Sequence, residues 1–183
     1  MWCALALVAG AGCRQEMYNQ PKMKPQEESA FFPDKLSTRP QVAGTVARSQ
    51  LHEDDHFYHG KIDGEFARTF PFEIKMSDMQ RGRERFDIFC SPCHGRTAMG
   101  NGMIVQHGYR KPPSFHEARA RNLEVGYIFD VITNGYATMP SYADRIPPVD
   151  RWRIIAYIRA LQRSRNVRID EIPARERERL TRK

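Results

Sequence analysis

The stretch CSPCHG, residues 90–95, sets two thiols three positions apart and follows the second at once with an imidazole. Cys-x-x-Cys-His reads as an attachment site for c-type haem. Each of Cys90 and Cys93 adds across one vinyl group of the porphyrin, and His94 then lies against the iron as its proximal ligand. Other chemistries of this spacing fit less well. Structural zinc needs four ligands, and the only other cysteines, Cys3 and Cys13, stand in an apolar leader. A thioredoxin-like dithiol expects a βαβ setting, and no such pattern surrounds the motif.

The 183 residues suit one domain with appendages. Residues 1–12, MWCALALVAGAG, are uncharged and apolar. That run is too short for a membrane span and fits the apolar core of a lipoprotein-type signal peptide. The small residues before Cys13 resemble a bacterial lipobox. The expectation is therefore an exported chain, lipidated at Cys13 and held on the periplasmic side of the cytoplasmic membrane. The net charge is +7. Such a balance suits anionic lipid or an acidic protein partner, and an exported haem protein does not call for nucleic acid.

Residues 13–76 read as an extended arm. Pro21, Pro25, Pro33, Pro40 and Pro71 interrupt it, and no helical period lasts long enough to bury a face. Its aromatics, Phe31-Phe32, Phe57-Tyr58 and Phe70 with Phe72, suit either wrapping on a partner or folding back on the domain. His52, His56 and His59 share the arm. They suit charge and hydrogen-bonding roles more readily than a metal site.

The cytochrome-like region spans residues 77–164, an all-α unit of three main helices around one covalently attached haem. Ser77 and Gln80 form a capping-box pattern, after which Met79, Gly82, Phe86 and Phe89 recur at helical spacing. A second helix is predicted over about Leu123–Thr133, stopped by Asn134-Gly135. A third follows Pro147-Pro148. Its buried stripe is Val149, Trp152, Ile155, Ala156, Ile158 and Leu161, with Arg151, Arg153, Arg159 and Arg163 left wet. Residues 165–183 are a charged C-terminal tail.

Between the second and third helices stands Ala137-Thr138-Met139-Pro140-Ser141. A residue before proline is held extended, so the Met139 sulfur can reach inward as the second axial ligand. Met99, Met103 and His107 compete for that role, but they follow the attachment site too closely. A His/Met pair closes the coordination shell and favours a high reduction potential, which points to electron transfer and away from oxygen activation. A carbonyl of Pro112 or Pro113 is expected to orient His94, and Tyr109, Arg110 and Lys111 to meet the haem propionates. Gly82 is expected to let the last helix cross closely, with Trp152 or Tyr157 facing Phe86.

The order helix, Cys-x-x-Cys-His, loop, helix, Met-Pro loop, helix is similar to the class I cytochromes c. Within that class, MQRGRERFDIFCSPCHG (79–95), GNGMIVQHGYRKPPSF (100–115) and FDVITNGYATMPSYADRIPPVDRWRIIAYIRALQ (129–162) resemble the monohaem lipoprotein cytochrome c of bacterial alternative complex III. GTVAR (44–48), FYHGK (57–61) and TFPF (69–72) resemble the arm of that family. The resemblance implies a one-electron carrier, not an enzyme, in a quinol-oxidising membrane complex. Its partners would be iron–sulfur, multihaem and integral membrane subunits, and electrons would leave to a terminal oxidase or soluble carrier. The alternatives are a free lipid-anchored shuttle and a haem enzyme domain. A dihaem peroxidase would carry two attachment motifs, and this chain has one.

Overall fold

Proline-punctuated polar sequence gives way near His52 to stretches with regular apolar spacing, and the computed structural model divides there into two units, 1–51 and 52–183. It describes residues 17–48 and 50–181. The signal peptide expected over 1–12 and the lipidated Cys13 lie outside the described residues.

In the first unit the backbone turns back on itself through a bridge between Glu28 and Leu36. Asp34 and Arg39 pair at 2.7 Å, and the Arg39 guanidinium lies 4.2 Å over Phe32. Little apolar surface is buried: Tyr18, Phe31 and Val42 are all more than two-thirds exposed.

The second unit is built from α1 (Asp55–His59), a hairpin β1 (Lys61–Ile62) and β2 (Glu65–Phe66), α2 (Met76–Phe89), α3 (Ser91–His94), α4 (Met103–Gln106), α5 (Ala118–Arg121), α6 (Val125–Asn134) and α7 (Pro148–Asn166). A 3-10 turn, Ile169–Glu171, and α8 (Ala174–Thr181) follow. The three helices expected from the sequence are α2, α6 and α7. Two boundaries differ. Helix α2 starts at Met76, and the carboxylate that accepts from the first free amide, Lys75 N at 3.1 Å, belongs to Asp78. The box expected of Ser77 and Gln80 is thus displaced, because an aspartate already stands at the third position. The tail expected from 165 is not simply extended: α7 runs on to Asn166, and residues 169–171 and 174–181 are helical.

Helices α2 and α7 cross where Gly82 meets the Arg153 carbonyl. A Cβ at 82 would stand 2.0 Å from that oxygen. Phe86 fills the crossing edge-on against Tyr157, centroids 5.5 Å apart, so Tyr157 is the facing aromatic. Trp152 turns the other way and stacks on Phe129 at 4.5 Å. Ions clamp the same junction. Arg153 donates to Asp78 (2.8 Å) and Asp150 (3.0 Å), and Arg81 donates to Asp150 (3.1 Å). Burial raises the Asp150 pKa, but the two guanidinium groups outweigh it and hold the carboxyl below its usual range.

The last part of the expected arm belongs to this unit. Asp54 caps α1 through the Phe57 amide (2.9 Å). Asp63-Gly64 makes the hairpin turn with both φ values positive, as a two-residue primed turn requires. Ala67 N donates to Gly60 O (2.9 Å) and Gly126 N to Ala67 O (2.8 Å), tying the segment to the start of α6. Trp152 Nε1 donates to Phe57 O at 2.9 Å. The boundary drawn at residue 77 therefore falls later than the structural one. The reason is that Phe57, Phe70 and Phe72 pack against the helical core.

The three arm histidines have separate uses. His52 stacks on Tyr58 (4.2 Å), His56 Nε2 meets the Thr69 carbonyl (2.8 Å), and His59 lies 4.0 Å from Asp55.

A candidate haem site

Helix α3 begins where α2 ends. Cys93 N and His94 N both bond to Cys90 O, at 3.2 and 2.9 Å. This tight turn sets Cys90 and Cys93, neither in a disulfide, beside the imidazole. Burial, and after it the neighbouring Cys93, pushes the Cys90 thiol up to about 12. Burial lowers the His94 pKa to about 4, so the ring is neutral at pH 7, the form that binds a metal.

His94 lines a cavity of about 810 Å³, together with Cys90 from below and Met139 from the loop after α6. Its walls include Leu123, Ile128 and Ile158. Cofactor pockets span roughly 300–1,000 Å³ and are mostly apolar with a few placed polar groups. Of the cations expected at the propionates, Arg110 and Lys111 line the cavity, as does Arg119, which the sequence did not single out. Tyr109 does not line it. Nor do Met99, Met103 and His107, the rivals of Met139.

Met139 sits in a short bridge with Tyr136, whose amide and carbonyl exchange hydrogen bonds with it at 3.0 and 2.9 Å. Tyr142 N then donates to Ile132 O (3.0 Å), returning the chain to α6. The downstream half of this loop is held by Arg151. The helical period expects this side chain to be solvated, and it is instead 5% exposed. Its Nε donates to Ile146 O (2.8 Å), and its two terminal nitrogens donate to Thr133 Oγ1 (2.9 Å) and Ala143 O (2.8 Å). The polar partners are backbone carbonyls and a hydroxyl, which no helical periodicity reveals.

The expected carbonyl on His94 is not found. Its Nδ1 is buried without a hydrogen-bond partner. The Pro112 carbonyl is directed instead at Gly100, 2.3 Å from where a Cβ would stand. Phe115 occupies the face of the imidazole, with centroids 4.5 Å apart and planes 26° from parallel. Phe115 is itself fixed at both backbone groups: its N–H donates to Ala98 O (3.0 Å), and its carbonyl accepts from the buried Gln162 (2.9 Å).

The donor set fits a porphyrin. The Cys90 sulfur, a buried neutral imidazole, a thioether at the same cavity, apolar walls and three cations match a flat apolar macrocycle bearing two carboxylates, while Cys93 stands one turn on, outside the cavity lining.

Comparison with known proteins agrees with that fit. The chain carries a cytochrome c domain, and the domain's cofactor is a covalently bound c-type haem. Residues 77–158 match the family model described as cytochrome C oxidase, cbb3-type, subunit III. No curated protein matches the chain. Among solved structures, the Kuenenia stuttgartiensis reducing HAO-like protein complex Kustc0457/Kustc0458 is similar at 19% identity and a TM-score of 0.43. The alignment covers 58% of this chain and 54% of that one, so the chain spans about half the length of its match.

Proposed function

We propose that this chain is a single-electron carrier subunit of a membrane quinol-oxidising respiratory complex of the alternative complex III type, with a class I fold around its haem. Cys90 and Cys93 carry the thioethers, and His94 and Met139 are the axial ligands. The observation that carries the reading is the convergence of Cys90, His94 and Met139 on one apolar cavity. When bound, the haem supplies a one-electron couple between ferrous and ferric iron.

The chain's own residues then have defined tasks. His94 donates a neutral nitrogen and Met139 a soft thioether, which together leave no coordination position for oxygen and favour a high potential. Leu123, Ile128 and Ile158 keep water away from the ring. Arg110, Lys111 and Arg119 offset the propionate charge. A closed His/Met coordination shell of this kind would suit a relay of single electrons rather than bond chemistry.

Membership of a complex is read from the resemblance of the segments GTVAR (44–48), FYHGK (57–61) and TFPF (69–72) to the arm of that family. The proposed partners are iron–sulfur, multihaem and integral membrane subunits, with a terminal oxidase or soluble carrier as acceptor. Attachment would come from an acylated Cys13 on the periplasmic side. Among the described residues no helix is long and apolar enough to cross a membrane.

One preparation tests the reading. Native membranes are extracted in mild detergent and the haem-bearing fraction is examined by size and by spectrum. Co-migration with large membrane proteins, a sulfur–iron charge-transfer band in the oxidised form and no carbon monoxide adduct in the reduced form are expected. A free species near 21 kDa would point to a lipid-anchored shuttle. Ready carbon monoxide binding would point to a haem enzyme.

A further inference from the structure

We infer that Arg151 is the positioning residue for the sixth ligand: its buried guanidinium sets the loop that presents Met139 to the cavity. The inference rests on Met139 being an axial ligand and names what holds it there. Residues 135–147 have no helix or strand to shape them between α6 and α7. The upstream half closes on itself through the Tyr136–Met139 bridge, and the downstream half turns on the Tyr142 carbonyl, which accepts from the Arg145 and Ile146 amides. Arg151 grips two further carbonyls of that half from the first turn of α7. One planar group reaches Ile146 and Ala143 in the loop and Thr133 on α6 at the same time. Ser141 Oγ adds a bond to Thr133 O (2.5 Å), so the loop and the end of α6 are drawn together at the residue Arg151 also grips.

The chemistry requires arginine. The five donors of a guanidinium lie in a rigid fork, and here the fork spans three acceptors on two elements. A lysine ammonium is a point charge on a flexible stem and cannot hold both loop carbonyls in fixed relation. No carboxylate pairs with Arg151 among the described residues, so this is not an ion pair with a structural by-product. The Phe129 ring lies 5.5 Å from its guanidinium carbon, closing the site from the core side. Breaking the fork leaves the proximal half of the pocket, from α2 to Phe115, untouched.

The full chain, matured with haem in a host that attaches it, gives the test. Arg151→Met, Arg151→Lys and Thr133→Val are compared with the unaltered protein by the sulfur–iron band, its loss on warming, and carbon monoxide binding to the reduced form. Haem staining after denaturation reports the thioethers separately. Expected are loss of the band and new carbon monoxide binding in Arg151→Met with haem still covalently attached, partial recovery in Arg151→Lys, and loss of the band at a lower temperature in Thr133→Val. Arg151→Met with an unchanged band and unchanged thermal loss overturns the inference alone. If that variant fails to accumulate, Thr133→Val decides, and a melting profile of the band identical to the unaltered protein's overturns it. Absence of the band in the unaltered protein overturns the ligand assignment and this inference with it, and Met139→Ala, which should then change nothing, identifies that case.

Discussion

Phe115 lies flat against His94, and no hydrogen bond competes with it for control of the ring. A ligand oriented by packing responds to the shape of its neighbour. Phe115→Leu keeps apolar volume but removes the flat face. It should broaden the low-spin ferric electron paramagnetic resonance signal and displace the midpoint potential, while Phe115→Tyr should leave both near the original. Unchanged spectra in the leucine variant would exclude ring-on-ring orientation. The attachment residues were legible because their chemistry imposes a fixed spacing: Cys90, Cys93 and His94 must be contiguous to meet one porphyrin. That Met139 lines the cavity with His94 was legible from its place before Pro140 and ahead of the last helix. Arg151 and Phe115 were not. An arginine among Arg153, Arg159 and Arg163 reads as the wet face of a helix, and only the carbonyls of the loop just before it show that it is buried. The role of Phe115 depends on a contact 21 positions away in sequence, for which no local pattern exists.

At the scale of the elements, the crossing of α2 and α7 depends on one missing methyl group. Gly82→Ala places a carbon 2.0 Å from the Arg153 carbonyl, so the helices must separate. Overpacking of this kind costs about 3 kcal/mol at the upper end of its usual range, readable as a lower denaturant midpoint with an unchanged slope. The ion cluster beside the crossing has a pH signature. Asp150 titrates below its ordinary value of 3.8 in the folded state. Its stabilisation is therefore complete above the unfolded pKa and is lost as pH falls through the lower folded value. Acid unfolding of the native chain should thus steepen below about pH 4, and Asp150→Asn should flatten that limb while lowering stability at pH 7. An equally steep limb in the variant would assign the acid sensitivity elsewhere. The apolar period of α7 was readable because that helix runs for 19 residues and buries Trp152, Ile155, Ala156 and Ile158 of the expected stripe. The hairpin was readable in principle, since Asp63-Gly64 is a strong primed-turn signal, but each strand is only two residues and gives no alternation to notice.

Across the whole molecule, the division at His52 separates two kinds of sequence. Before it, most apolar side chains among the described residues are exposed and the bonds are local. After it, Phe57, Phe70 and Phe72 have found the core. The sequence marks both stretches with the same prolines and scattered aromatics, so composition alone placed the boundary at 77. Only the long-range bonds of Trp152 and Gly126 move it. If the first unit serves a protein partner, removing residues 17–51 from the lipidated chain should leave the haem spectrum and potential intact while the protein ceases to co-purify with large membrane subunits. Retained co-purification would place the contact on the helical unit.

The indole of Trp152 has one further consequence. The sequence holds two tryptophans, and the other, Trp2, falls in the leader that export is expected to remove. A processed chain would then contain a single tryptophan, wedged between Phe129 and the Phe57 carbonyl. Its emission is darkened by energy transfer to any porphyrin nearby, and its wavelength follows the dryness of its niche. With the pigment held by thioethers, brightening would time the indole's separation from it as the helices part, and a red shift without brightening would time the peeling away of residues 52–76, so one optical trace would resolve the two events.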